Sequence, residues 1–124
     1  MIKNLSLIFV CGLIAGCDPN DKCGKFREGE FSYKEAPFSN IKITRTKTEQ
    51  TEHETKTGLK VRYDIKWTSD CEYELIQTWS NDSAFSLNNG SMIKTKIKNI
   101  EGDMYDYDAS SAGMNTSNTI VKLK

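Results

Sequence analysis

The chain has 124 residues, 37% of them hydrophobic, and its 17 lysines and arginines are matched by 17 aspartates and glutamates. That balance excludes the basic surface that nucleic-acid binding requires. A single histidine and four cysteines leave little material for a metal centre.

In chain order, Lys3 precedes an apolar run over 5–15 that ends in Ile14-Ala15-Gly16-Cys17. The run is shorter than the about 20 apolar residues a spanning helix needs, and it has the length of a signal-peptide core. Small Ala15 and Gly16 before Cys17 look like a lipobox, where a peptidase cuts ahead of a lipid-modified cysteine. Cys11 is the rival, but branched Val10 precedes it and the run continues past it. The sequence predicts a signal peptide over 1–16, a lipidated Cys17 and short tether over 17–22, and a single β domain over 23–124. The competing reading is an ordinary secretory signal with Cys17 incidental. Cleavage would remove 16 residues and leave 108, enough for one modest core. Two or more acyl chains give stable attachment without a spanning segment. The expected location is the bacterial cell envelope, attached to a membrane through the N-terminal lipid, with the leaflet left open.

Export leaves Cys23 and Cys71. In an oxidising envelope such a pair is expected to form a disulfide, worth about 3–4 kcal/mol on the chain-entropy model. A two-cysteine metal site lacks partners, because His53 is the only histidine.

From there the period is two almost throughout, with little sign of a helix. Residues 25–33 and 40–45 read as the first two strands, split by a turn around Ala36-Pro37, and 48–55 as a polar third. A three-residue turn over 56–58 would pair Glu54 with Lys60 and Glu52 with Arg62 outside, leaving Thr51 and His53 inside. The clearest strand is 59–67, where five apolar residues alternate with four charged ones. A three-residue loop then sets Trp67 opposite Cys71, Ile65 opposite Tyr73, Tyr63 opposite Leu75 and Leu59 opposite Trp79, all inward. The polar segment 80–91 is expected to hold at most a helical turn. Ile93, Thr95 and Ile97 share the next inner face. A loop over 101–103 pairs Lys98 with Asp106, Lys96 with Asp108 and Ile97 with Tyr107. A last strand over 119–123 turns Val121 and Leu123 inward. The fold class is all-β, an antiparallel up-and-down meander of about eight strands that forms a small barrel or strongly curved sheet; a β-sandwich is the alternative.

Two motifs carry a family resemblance. Cys23-x-x-Phe26-Arg27-x-Gly29-x-Phe31 and Trp67-x-x-Asp70-Cys71-x-Tyr73-x-Leu75 resemble a family of short envelope lipoproteins from flavobacteria and related Bacteroidetes. The resemblance implies that both cysteines belong to the architecture and that the meander is lipocalin-like. It implies no activity.

No catalytic constellation is apparent: His53 has no nucleophile at a recognisable spacing, and Gly-x-Ser-x-Gly is absent. Glu72/Glu74 and Asp106/Asp108 stand among lysines and read as an outer ion-pair lattice rather than an acid–base pair or calcium site. No cofactor or metal is expected. The leading functional reading is a non-enzymatic, lipid-attached interaction domain that meets a protein partner through Trp79, Phe85 and Leu87. The alternatives are a carrier of a small apolar ligand, with Thr51, His53, Tyr63, Trp67, Tyr73, Tyr105 and Tyr107 lining the cavity, and an inhibitor or immunity-type protein against an envelope enzyme or toxin.

Overall fold

A computed structural model describes residues 22–124; the expected signal peptide and Cys17 lie outside them. Eight strands follow one another: β1 (Gly29–Tyr33), β2 (Ile41–Arg45), β3 (Glu49–Glu54), β4 (Lys60–Ser69), β5 (Glu72–Ser80), β6 (Met92–Glu101), β7 (Met104–Ser111) and β8 (Met114–Lys122). Each pairs antiparallel with its predecessor, and β8 pairs with β1, closing an up-and-down barrel. Closure leaves neither a first nor a last strand as an open sheet edge along the paired length. The other regular pieces are short 3-10 turns at Gly24–Phe26, Phe38–Asn40 and Phe85–Asn88; the last is the helical turn expected in 80–91. Among the described residues no helix is long and apolar enough to cross a membrane.

Alternation places the core. Along β4, Val61 and Ile65 are buried while Lys60, Arg62, Asp64 and Lys66 face outward. Phe31, Ile43, Tyr73, Leu75, Ile97, Tyr105 and Ile120 join Ile65 inside. The first 3-10 turn folds under the barrel and pushes Phe26 up into this cluster, its ring 4.8 Å from that of Tyr105. Cys23, immediately before that turn, is disulfide-bonded to Cys71 in the β4–β5 turn. This end of the barrel is therefore stoppered by its own chain.

Strand pairing departs from the sequence expectation at five places. Trp67 pairs with Tyr73 and Ile65 with Leu75, because the hairpin turns at Asp70-Cys71 and absorbs an irregularity between Trp67 and Ser69. The slip is by two residues, so the faces survive. Further along, Tyr63 pairs with Gln77 but Arg62 with Trp79, so Thr78 is an extra residue in β5. This bulge reverses the parity: Gln77 and Ser80 are buried, and Trp79 lies outside, 39% exposed, under the Arg62 guanidinium at 5.0 Å. Between β6 and β7, Lys96–Asp108 and Ile97–Tyr107 pair as expected. A bulge after Ile97 then removes Lys98 from Asp106, and Lys98 bonds Asp108 at 2.9 Å instead. In β8 the strand starts five residues earlier than expected and its parity is opposite. Ile120 faces inward beside Tyr33 and Tyr105, and Leu123 is 53% exposed.

The β3–β4 turn has the largest consequence. Gly58 N–H donates to the Glu54 carbonyl at 2.9 Å, and the Glu54 carboxylate accepts from the amides of Lys56 and Thr57 at 2.9 and 2.8 Å. Gly58 closes this turn at φ +79°, a conformation suited to glycine. The loop so formed pairs His53 with Lys60 and Glu52 with Val61, one residue away from the expected register. Thr51 and His53 consequently belong to the outer face, and Gln50 and Glu52 to the inner one.

Candidate functional site

The strands fix two ends. Odd-numbered strands run from the stoppered floor toward the opposite mouth, and even-numbered strands run back. The connections over 34–40, 55–59, 81–91 and 112–113 all surround the mouth, and they include the three longest.

Inside, a polar column climbs from the floor. Arg45 is 2% exposed and sits where the Ile41, Ile43, Arg45 alternation of β2 points inward. Its Nη1 donates to the Phe26 carbonyl at 2.8 Å, its Nε to Gln50 Oε1 at 2.8 Å, and its Nη2 to the Tyr105 hydroxyl at 3.2 Å. The guanidinium carbon lies 4.6 Å from the Phe31 ring centre and 4.9 Å from that of Tyr73, a cation–π sandwich. Burial opposes this charge, but the Tyr105 and Tyr73 oxygens outweigh burial and raise the Arg45 pKa above its ordinary value. Arg45 remains a cation.

Gln50 is the relay. It accepts from Arg45 and donates through Nε2 to Glu52 Oε2 at 2.9 Å. Tyr33 Oη also donates to the Glu52 carboxylate, at 3.2 and 3.3 Å to its two oxygens. Burial pushes the Glu52 pKa up, and the hydrogen bonds from Gln50 and Tyr33 and the Arg45 charge only partly offset it. Burial, and after it the Glu52 charge, raises the hydroxyl pKa of Tyr33, Tyr63 and Tyr107. These tyrosines stay neutral well into the alkaline range.

Two adjacent spaces share Glu52 in their walls. A vestibule of about 520 Å³ opens at the mouth, with Phe38, Ile41, Leu59, Val61 and Phe85 among its walls. A deeper chamber of about 200 Å³ continues toward Tyr73, Leu75 and Ile93. Tyr33, Glu52, Tyr63 and Tyr107 line both. A predominantly apolar pocket with a few convergent polar groups is what a small-molecule site requires. Another concavity, of about 720 Å³, lies over β5–β8 and is lined by Glu72, Glu74, Lys94, Lys96 and Asp108 among others. Its charges oppose one another, and it offers no comparable apolar wall.

Of the residues expected to line a cavity, Tyr63 and Tyr107 line both spaces, and Tyr73 lines the deeper one. Tyr105 and Trp67 pack in the core near the floor instead. Thr51 and His53 are corrected to the outer face, because the turn over 55–58 is one residue longer than expected. Among the expected partner contacts, Phe85 stands on the vestibule rim and Leu87 is 86% exposed. Trp79 is held against Arg62 on the outer wall. Arg45, Gln50, Glu52 and Tyr33 were missed. The alternation of β2 already pointed Arg45 inward; Glu52 depended on the turn.

Among the described residues no three His, Cys, Asp or Glu side chains come together as a metal site. No protein-family model, curated protein or solved structure matches this chain.

Proposed function

We propose that the barrel is a non-enzymatic binding protein for a small amphipathic molecule, carried on the bacterial cell envelope by an acylated Cys17. The observation that carries the reading is the pair of adjacent spaces that share Tyr33, Glu52, Tyr63 and Tyr107, the outer one open at the mouth and largely apolar with Glu52 in its wall. A closed floor on the same barrel suits retention of a ligand rather than its passage. The two cysteine motifs accord with a place among the short flavobacterial envelope proteins they resemble.

Native mass spectrometry of the mildly purified protein, with displacement of a fluorescent amphiphile, tests the binding role. An added small mass that is lost when Phe85→Asp alters the rim is the expected outcome. No retained mass and no displacement would refute it. Incorporation of a clickable palmitate analogue, lost in Cys17→Ser, is expected for the lipid attachment; label persisting in that variant overturns it.

A protein partner docking on the rim is the second reading, favoured by the exposure of Leu87 and Phe85. Crosslinking in the native cell should then be lost in Leu87→Asp, which leaves the vestibule wall intact.

A further inference from the structure

The vestibule has a polarity that selects among small molecules. Among the described residues Glu52 is the one charged side chain that lines both spaces. The interior cation, Arg45, lines neither, and its nitrogens are turned toward the floor and committed to Phe26, Gln50 and Tyr105. An anionic headgroup entering the barrel would therefore meet a carboxylate with no free cation beside it. A wholly apolar molecule would bury that carboxylate further without pairing it, which is costly. Among the described residues Glu52 accepts only from Gln50 and Tyr33, whereas an ionised carboxylate offers about four acceptor positions. The rings of Tyr33, Tyr63 and Tyr107 stand around the same place, and aromatic faces attract cations, most strongly where water is excluded.

Building on the small-molecule reading above, we infer that the occupant is an organic cation: an ammonium group seated on Glu52 among Tyr33, Tyr63 and Tyr107, with an apolar or aromatic body in the vestibule between Phe38, Leu59, Val61 and Phe85. The ammonium supplies the direct charge contact that Arg45, held off by Gln50, does not make with Glu52.

Calorimetric titration with a matched series tests this: 4-phenylbutylammonium, 4-phenylbutan-1-ol and 4-phenylbutanoate, against the wild type and Glu52→Gln. The ammonium should bind at least about tenfold more tightly than the alcohol, and the carboxylate most weakly. Glu52→Gln keeps the shape and removes the charge, so it should lower ammonium affinity about tenfold or more and leave the alcohol within about twofold. Equal or tighter binding of the alcohol or carboxylate, or ammonium binding unchanged in Glu52→Gln, overturns the cation assignment while leaving a small-molecule site in place. Binding of none of the three, together with no mass retained in native mass spectrometry, removes the small-molecule reading itself.

A pH series on the wild type gives the same answer without a variant. The groups facing Glu52 are Tyr33 from β1, Arg45 from β2, Tyr63 from β4, Tyr73 from β5 and Tyr107 from β7, with Glu54 at the rim. The tyrosines and Arg45 keep their protonation below neutrality, and turn hydrogen bonds hold the Glu54 pKa below the usual carboxylate value. Ammonium affinity should therefore fall as acid protonates Glu52, within a range displaced upward from an ordinary glutamate, while alcohol affinity stays level. A flat ammonium profile overturns the inference.

Discussion

At the scale of single residues the interior is organised by one cation and one carboxylate that do not touch. Arg45 and Glu52 communicate through the Gln50 amide, which can face both because its oxygen accepts and its nitrogen donates. Removing Arg45 strands the Phe26 carbonyl and the Gln50 oxygen below the cavity, so Arg45→Leu should destabilise by at least about 3 kcal/mol in urea unfolding. Glu52→Gln should act in the opposite direction at neutral pH. Its folded pKa is raised, so the proton is held more tightly in the folded state than in the unfolded one. The Glu52 contribution is fully present below the unfolded pKa and is lost as pH rises through the folded pKa. The variant should therefore melt above the wild type at pH 7, and the two melting temperatures should converge on acidification.

At the scale of elements, turns and bulges decided what was legible. Strand number, order and most partners follow from alternation, because charged and apolar residues separate cleanly in β4 and β6. Parity within a strand does not follow where an extra residue enters. Thr78 in β5 turned Trp79 outward, and the turn over 55–58 exchanged Glu52 for His53. In β3 nothing apolar distinguishes the two faces of Glu49-Gln50-Thr51-Glu52-His53-Glu54, so hydrophobicity could not correct the register. The tertiary demand of Arg45 for an acceptor at Gln50 did. Gly29 is a further element-level constraint. Its φ is +132°, and a Cβ there would stand 2.5 Å from the Lys124 carbonyl oxygen, whose bond with the Glu30 amide closes β1 against the carboxyl end. Gly29→Ala should cost about 1–3 kcal/mol by thermal denaturation and raise hydrogen exchange at Glu30 and Leu123 ahead of β4 and β5.

For the molecule as a whole, the disulfide spans 48 residues. A closed loop of that size is worth about 4 kcal/mol on the chain-entropy model. The Cys23→Ser/Cys71→Ser double variant should lose stability of that order, and its floor should loosen first, read as solvent access to Trp67. The same bond also changes how the barrel carries a load. Tension arriving from residues before 22 does not reach β1 directly, although β1 is one of the shortest strands and would peel first. It crosses the sulfur bridge into the β4–β5 hairpin, in the middle of the chain, where the ladder is among the longest. Pulling therefore acts along the strands and must shear the β3–β4 and β5–β6 ladders that hold this hairpin in the barrel, together instead of one bond at a time. A barrel pulled from its amino-terminal side would hold together under strain that would unravel it with the cysteines reduced.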